Sequence, residues 1–316
     1  ARLGHQHGLS HVPRTLELFC YLGRENMKKY GAVMMSKPMR TLSGVAPLAV
    51  MCEPFPCPIQ AQCTFCPGGP GSAYGDTPKS YPGGSPAHLR GQRNQYDSYL
   101  QTINRLEQYA LLGQDFSKVE VIVMGGTFTT YPIRYRNDFI AGLFKAMNDF
   151  SDLFFSSGTF DFERFVDFFE LPAQLDDLER TKRIHAKLLE IKGKDIDLEK
   201  EKKRNETAAV RCALLCIETR SDCCTRVHIN DILRLAGTRV ELGVQSLSDE
   251  VLTKVKRGHG NAENVLATAM LNDAYLKVGY HMMLGLPGST AEQDVGMMKT
   301  LFTDEQYQPD ALKIYP

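Results

Sequence analysis

The sequence predicts an α/β fold built as an open, parallel, partial (βα)6 barrel. Six β-rich runs recur along the chain, at residues 45–51, 119–126, 213–220, 238–246, 278–288 and 311–316. Most of these runs are nearly continuously apolar, which is typical of parallel strands that are buried on both faces. Segments with helical periodicity separate them, and six alternating units indicate an open barrel of six strands rather than a closed one of eight.

The segments between the strands include one clear amphipathic helix. In residues 96–113, Leu100, Ile103 and Leu106 form an apolar stripe that ends near Gly113. Two further stretches have a helical pattern, namely 229–237 and 262–276.

Two other segments interrupt the alternation of strands and helices. Residues 67–88 are rich in Gly, Pro and Ser, so they predict a long loop of the kind that usually carries function. Residues 171–208 are strongly charged and predict a helical insertion with a solvated face.

The composition excludes several classes of protein. The chain has 316 residues with 37 basic and 37 acidic side chains, so its overall charge gives no case for nucleic-acid binding. No apolar run reaches the roughly 18 residues that a membrane span needs, and the first residues lack the apolar region of a secretory signal. Nine cysteines without an export signal indicate reduced thiols and a cytoplasmic location.

Residues 1–40 differ from the rest of the chain because they are locally basic. This segment contains seven lysines and arginines but two glutamates. The segment predicts a basic helical extension. Its basic side chains form either a solvent-exposed helix face or a phosphate-binding surface. Residues 41–316 are then predicted to form the barrel domain.

Three cysteines carry the strongest chemical signal in the sequence. Cys57, Cys63 and Cys66 follow the first strand, with five residues between the first pair and two between the second. Three thiolates on a 4Fe-4S cluster leave one iron open for chemistry. A structural zinc site is the alternative, and Cys52 is near enough in sequence to be its fourth ligand.

The ends of the other strands are also polar or rich in glycine. In parallel α/β sheets, functional groups gather at the carboxyl ends of the strands, so these residues should meet the cysteines at one mouth. Each of these residues could have a purely structural role, such as a glycine in a turn or a simple ion pair. Together, at successive strand ends, they favour a functional site. The candidates are Gly125, Gly126 and Thr127 after the second strand, Glu218 and Arg220 after the third, and Gln245 on the fourth.

These motifs resemble the radical S-adenosylmethionine superfamily, and within it the catalytic subunit of Elongator with its archaeal and bacterial relatives. The runs that carry the resemblance are KPMRTLSGVAPLAVM, CTFCPGGP, SKVEVIVMGGTF, IETRSD, TRVELGVQSL, RGHG, YHMMLGLPG and DALKIYP. The similarity extends from about residue 8 to the end of the chain. It implies a radical S-adenosylmethionine partial barrel with an N-terminal basic helical extension.

The resemblance also implies a function. The family forms the 5-carboxymethyl group on wobble uridine 34 of tRNA, using a 4Fe-4S cluster, S-adenosylmethionine and acetyl-CoA, and it is classed as an acetyltransferase or acyltransferase. Its partners are the anticodon stem-loop of tRNA and other Elongator-like subunits or a second copy of the chain, with no membrane.

The residues carry over from the family position by position. Cys57, Cys63 and Cys66 would bind the cluster, and the glycine pair with Thr127 would face the methionyl end of S-adenosylmethionine. Glu218, Arg220 and Gln245 would lie near its ribose and adenine. Lys118 matches a lysine that the family links with acetyl-CoA. The residues that match tRNA-binding regions are Arg14, Lys28, Lys29, Arg40, Arg90 and Arg93.

The chain departs from the family in three places. The spacing between Cys57 and Cys63 is shorter than usual, Ser221 replaces a proline, and the C-terminal acetyltransferase domain is absent. We therefore expect a fragment or a shortened form. Three alternatives stay open: a radical enzyme acting on a small molecule, a tRNA-binding scaffold with a structural metal loop, and a truncated member that binds tRNA without turnover. The sequence assigns no catalytic proton donor or acceptor.

Overall fold

The computed structural model describes residues 38–58, 63–73, 75–171 and 177–316, together with a few single positions before residue 38. The chain divides into two compact units. The first unit comprises residues 1–48, 102–119 and 141–213, and the second comprises residues 49–101, 120–140 and 214–316. Three strands begin in the first unit and end in the second, so the carboxyl ends of all six sheet strands belong to the second unit.

The main sheet has six strands in the order β1-β2-β5-β6-β7-β8. The register is parallel from β5 to β8, with Glu218 opposite Glu241 and His281 opposite Lys313. The α/β half-barrel with six strands that the sequence predicts is therefore confirmed. The strands are β1 (Ala46–Met51), β2 (Lys118–Met124), β5 (Arg211–Thr219), β6 (Arg239–Gln245), β7 (Lys277–Met283) and β8 (Ala311–Tyr315).

Helices connect the strands, as a parallel sheet requires. The predicted helices at 96–113, 229–237 and 262–276 are all present, with bounds that differ by one to three residues. The helices are α1 (Pro86–Arg93), α2 (Ser98–Leu111), α3 (Ile133–Phe154), α4 (Phe162–Phe168), α5 (Leu178–Lys192), α6 (Leu198–Asn205), α7 (Arg226–Arg234), α8 (Asp249–Lys254), α9 (Asn261–Asp273) and α10 (Ala291–Thr303).

Several of these helices begin at residues whose side chains cap them. Ser85 accepts a hydrogen bond from the backbone of His88, Ser248 from Val251, and Thr290 from Gln293. Each bond satisfies a backbone N–H group that has no partner inside the helix. The caps fix where each helix leaves the loop that follows a strand. None of the described helices is long and apolar enough to cross a bilayer.

The first unit contains an aromatic core that the strand pattern did not predict. The short strands β3 (Phe155–Ser156) and β4 (Thr159–Phe160) form an antiparallel pair beside α3 and α4. Phenylalanine rings from these elements stack edge to face, with Phe150 and Phe154 at 4.7 Å between centroids. The charged insertion is helical, as predicted, and its described part forms α5 and α6. The predicted boundary at residue 40 stays a prediction.

One buried polar network fixes the turn that leads into β5. Asn205 is 4% exposed and donates to Asn148 Oδ1 at 2.8 Å and to the Val210 carbonyl at 3.1 Å. Its Oδ1 accepts from the Cys212 backbone at 2.8 Å. The side chain therefore joins α3, the end of α6 and the first residues of β5.

We expect Asn205→Ala to lower the free energy of unfolding by about 1–3 kcal/mol, because two buried groups and one half-buried N–H group lose their partner. Urea unfolding followed by circular dichroism would measure the change. Asn272→Ala is the matched control, since Asn272 lies exposed on α9 and should change stability by no more than about 0.5 kcal/mol. Equal effects of the two variants would contradict this account of the network.

Candidate functional site

A cavity of about 710 Å³ lies in the second unit at the carboxyl ends of the sheet strands. This position agrees with the rule for parallel sheets, where the chain leaves each strand through a loop at the same edge. All three predicted cluster cysteines line the cavity, and so do Gly126, Thr127, Glu218, Arg220 and Gln245. The structure therefore brings together most of the residues that the sequence placed at one mouth.

The cysteine loop is held on the segment that follows β6. The Thr64 backbone donates to the Val255 carbonyl at 3.0 Å, and Phe65 packs against the cluster of Val251, Val255 and Leu286. Cys63 and Cys66 stand at the two ends of a tight turn closed by a 3.1 Å backbone bond. The turn brings two thiols of the motif to the cavity on a backbone that is anchored by packing.

Cys52 has a different environment from the three cavity cysteines. It is fully buried and lies beside Gly125, and Tyr135 hydrogen-bonds its thiol. Burial and the nearby Glu218 carboxylate raise the pKa of Cys52 well above its ordinary value. Cys52 is not among the cysteines that line the cavity, so it lies apart from the three candidate ligands.

The glycine pair after β2 forms another wall of the cavity. Gly125 has φ +135° and Gly126 has φ +108°, a region that favours glycine. A Cβ atom on Gly125 would lie 3.0 Å from the Cβ of Cys52, so the pair also permits a close approach of β1. The Tyr131 hydroxyl donates to the Gly125 carbonyl at 2.6 Å, which fixes the turn. Thr127 follows, 6% exposed.

The Gly-Pro-rich loop after the cysteines folds back on itself beside the cavity. The Gly69 backbone donates to Thr77 Oγ1 at 3.0 Å. A Cβ atom on Gly68 would lie 2.2 Å from the Tyr81 carbonyl oxygen, so only glycine fits there. The fold of the loop places Lys79 and Tyr81 among the residues that line the cavity. The sequence indicated the loop but neither of these side chains.

Glu218 is the carboxylate that meets this loop. The Tyr81 hydroxyl lies 2.8 and 2.7 Å from the two carboxylate oxygens of Glu218 and donates to them. Burial raises the pKa of Glu218 above its ordinary value, against the opposing attraction of His281 and Lys313. Burial and Glu218 together raise the pKa of Tyr81 well above its usual range. The tyrosine therefore stays protonated and acts as a donor.

Glu241, on the neighbouring strand β6, is the centre of a second charged group. Its Oε2 accepts from His281 Nε2 at 3.0 Å and from the ammonium of Lys313, while its Oε1 pairs with Arg239. Burial by itself would raise the pKa of Glu241, but the bonds from His281 and Lys313 lower it well below its ordinary value of 4.5. Glu241 is 2% exposed and carries its charge at neutral pH.

Glu218, Glu241 and His281 offer ligand atoms within 4.8 Å of one another, the spacing that a single metal ion needs. Lys313 already supplies a cation to Glu241, so the charge that an ion would bring is present in the protein. The three cavity cysteines do not form such a tight group in the described part of the chain.

Two arginines face the thiol of Cys63. Arg257 Nη1 lies 3.6 Å and Arg220 Nη1 lies 3.9 Å from its sulfur. Arg220 is also paired with Asp222, 3.0 Å from Nε to Oδ1. His259, two residues after Arg257, has its pKa lowered to about 4 by burial and by the Arg257 charge, so it is neutral. The sequence identified Arg220 but not Arg257, although the RGHG run contained it.

Gln245 reaches the cavity through an irregularity at the end of β6. The pairing with β7 shifts register between Leu242 and Gln245, and Gln245 has φ +69°. Such a bulge re-aims a side chain at the edge of a sheet. Its Oε1 is buried and has no hydrogen-bond partner among the described residues. A buried acceptor without a partner is ready to bind a ligand donor.

The other predicted residues lie away from these groups. Lys118 begins β2 and is exposed, at the opposite end of that strand from Gly125, roughly 20 Å along the chain direction. Arg90 donates to the Ala49 carbonyl at 2.6 Å, whereas Arg93 is exposed on α1. Their proposed roles stay predictions.

The structure describes only some of the predicted tRNA-binding residues before residue 41. Lys29 is exposed and stands over the ring of Tyr30. Arg14 and Lys28 lie outside the described residues, and so does the side chain of Arg40.

Comparison with known proteins decides the family. Residues 57–301 match the Radical SAM superfamily. The chain belongs to this superfamily. It is 41% identical over 309 residues to a tRNA uridine(34) acetyltransferase of Methanocaldococcus infernus, covering 98% of this chain and 49% of the relative. It is 34% identical over 312 residues to Elongator complex protein 3 of Saccharomyces cerevisiae, covering 98% and 48%.

A solved structure gives the same result. The archaeal Methanocaldococcus infernus Elp3 with an N-terminal deletion has a TM-score of 0.60 and 34% identity, covering 86% of this chain and 46% of that one. The predicted family resemblance is therefore confirmed. The chain spans about half the length of the curated relatives it matches.

Membership of the superfamily implies a 4Fe-4S cluster and S-adenosylmethionine, and the cavity fits both. Three free thiols line it, two guanidinium groups face one of those thiols, and Gln245 has a buried acceptor without a partner. Cys57, Cys63 and Cys66 would hold the cluster. Gly126, Glu218 and Gln245 line the same cavity as these thiols.

We expect the pairing of Glu241 to make stability depend on pH. Because its folded-state pKa is depressed, its contribution is present above the unfolded value of 4.5 and is lost as pH falls below it. Glu241→Gln should cost about 2 kcal/mol at pH 7 and should flatten the decline in stability below about pH 4.5. Urea unfolding at a series of pH values measures both effects.

The control for this prediction is Glu250→Gln, an exposed glutamate on α8. It should leave the stability at pH 7 within about 0.5 kcal/mol of the wild type. A Glu241→Gln variant whose stability falls with acid as steeply as that of the wild type would contradict the prediction.

Proposed function

We propose that the chain is the radical S-adenosylmethionine part of an enzyme that modifies tRNA at wobble uridine 34, forming a 5-carboxymethyl group with acetyl-CoA as the donor. The observation that carries the proposal is one cavity lined by three free thiols, a glycine turn and charged groups from successive strand ends. Relatives named for uridine 34 and for Elongator support the choice of substrate.

The thiols of Cys57, Cys63 and Cys66 would bind three irons and leave the fourth for the amino and carboxylate groups of S-adenosylmethionine. When bound, this pair supplies reductive cleavage of a carbon–sulfur bond and thereby a 5′-deoxyadenosyl radical. The protein has to shelter that species from water, and the Gly-Pro loop that ends at Tyr81 forms one wall of the shelter.

The charged groups beyond the cofactor position would orient the second substrate. Glu241 presents a carboxylate, and His281 and Tyr315 line the same cavity. A thioester or a uracil ring offers carbonyl oxygens and, in uracil, an N–H group, which complement such donors and acceptors. The base must leave its anticodon stack to enter, as in other enzymes that act on bases.

Basic residues outside the cavity would hold the tRNA backbone. Arg93 is exposed at the end of α1, and Lys29 is exposed in the N-terminal segment. We assign Arg14, Lys28, Arg40 and Arg90 to the same role, and Lys118 to acetyl-CoA. A cytoplasmic location and association with Elongator-like subunits or a second copy complete the proposal.

The decisive experiment is anaerobic reconstitution of the cluster in this chain, followed by an assay for 5′-deoxyadenosine with and without acetyl-CoA and tRNA. We expect iron to bind and 5′-deoxyadenosine to form. Cys63→Ala combined with Cys66→Ala should abolish the visible absorbance of the cluster and the product, whereas Cys212→Ala, outside the cavity, should retain both.

Four outcomes of that experiment separate the alternatives. Full iron content in the double variant would overturn the assignment of the ligands. A cluster without cleavage would favour a truncated member of the family, and cleavage that ignores tRNA would favour a small-molecule substrate. Zinc in place of iron would favour a tRNA-binding scaffold.

We expect Arg93→Glu to weaken tRNA binding several-fold and to lower the slope of log K against log salt by about 1, because one phosphate contact is lost. Binding to labelled tRNA at a series of salt concentrations measures both effects. Lys194→Glu is the control, since it makes the same charge change at an exposed position between α5 and α6. If the two variants bind tRNA with the same affinity and the same salt dependence, α1 is not part of the tRNA-binding surface.

A further inference from the structure

Arg257 is buried, and burial of a positive charge is energetically unfavourable. It is 6% exposed, and its Nη2 donates to the Gly243 carbonyl. Its Nε has no partner among the described residues. A Cβ atom on Gly243 would lie 2.8 Å from Nη2, so the guanidinium packs closely against β6 at this glycine. A buried cation with so few neutral partners indicates that an anion balances it.

The charged groups around Arg257 do not balance within the protein. Arg220 lies against the same segment, donating from Nη2 to the Arg257 carbonyl at 2.7 Å. Asp222 is the carboxylate that faces the pair, and it is already bound to Arg220 through Nε and Nη2. His259, 3.9 Å from Asp222, is neutral. Two guanidinium groups therefore share one carboxylate, and the remaining group that both face is the sulfur of Cys63.

The backbone keeps this geometry independent of the ligand. The residues that hold the cysteine turn, Val251 and Val255, immediately precede Arg257 in the chain. One short segment thus anchors the turn of Cys63 and also delivers the guanidinium to its sulfur. The Arg257 backbone N–H donates to the Leu252 carbonyl at 2.9 Å, which fixes the end of α8.

We propose that Arg257, supported by Arg220, is a positioning residue that makes the cluster easier to reduce by donating to the Cys63 sulfur and by leaving an unbalanced positive charge beside it. Hydrogen bonds to cluster sulfurs and the net charge around a cluster are known determinants of its reduction potential. Reduction adds one electron from a one-electron donor and makes the cluster with its three thiolates one unit more negative. A buried cation beside one thiolate stabilises that reduced state more than the oxidised one.

The inference rests on the proposed function only in requiring that the cluster binds. It concerns the step before any substrate is needed, so it can be tested without S-adenosylmethionine, acetyl-CoA or tRNA. The experiment is a dithionite titration of the reconstituted chain, followed by electron paramagnetic resonance of the reduced cluster. Iron per chain is measured in the same samples.

We expect Arg257→Met to retain the iron and to make one-electron reduction at least tenfold less favourable, which is 59 mV lower in midpoint potential. Arg257→Lys, which retains the charge but loses the forked geometry, should shift the midpoint by a smaller amount in the same direction. Arg226→Met is the control, because Arg226 is an exposed arginine at the start of α7. Its midpoint should equal that of the wild type.

A variant Arg257→Met that holds its iron at an unchanged midpoint would overturn the inference and leave the proposed function intact. If that variant binds no iron, Arg220→Met replaces it, because it removes the second guanidinium from the same sulfur. The same downward shift would then support the inference, and an unchanged midpoint would overturn it. A wild-type chain that forms no cluster would overturn the inference and the proposed function together.

Discussion

The backbone bond from Thr64 to Val255 anchors the cysteine turn on the segment that follows β6. Without it, Cys63 and Cys66 would belong to a loop with no fixed relation to the sheet. Phe65, which is half-buried, adds an apolar contact with Val251 and Val255. The chemistry of the cavity depends on this attachment, because the thiols must keep their place while the groups around them bind ligands.

The cavity has two electrostatic regions, one with excess positive charge and one whose charged groups are paired within the protein. Around Cys63, two guanidinium groups share Asp222, so the region is ready for the negative charge of a cluster. Around Glu241, the carboxylate is paired with Lys313 and Arg239 and is hydrogen-bonded to His281. The first region suits a permanently bound anionic group. The second suits a neutral polar substrate, which can exchange hydrogen bonds with groups that are already paired.

The loop from Gly68 to Tyr81 links these two regions. Its glycines permit the close packing, and Tyr81 extends to the Glu218 carboxylate. The Tyr81 hydroxyl donates to the carboxylate of Glu218, which the family resemblance predicts to lie near the ribose of the cofactor. Binding of a ribose at Glu218 would therefore replace one hydroxyl donor with another, which keeps the buried carboxylate satisfied in both states.

The sequence by itself determined the elements of the fold and predicted that three cysteines would meet at one edge of the sheet, where they line the cavity. Apolar runs at regular spacing predict buried parallel strands, and the carboxyl-end rule then places the cysteines, the glycine pair and Glu218 at one edge. Only the tertiary structure decided the partners of those residues. Arg257 meets Cys63 across 194 positions of sequence, and Tyr81 meets Glu218 across 137, so no local pattern could reveal either contact. Local periodicity reports which face of an element is buried, whereas long-range pairs arise only when the strands are placed in order in the sheet.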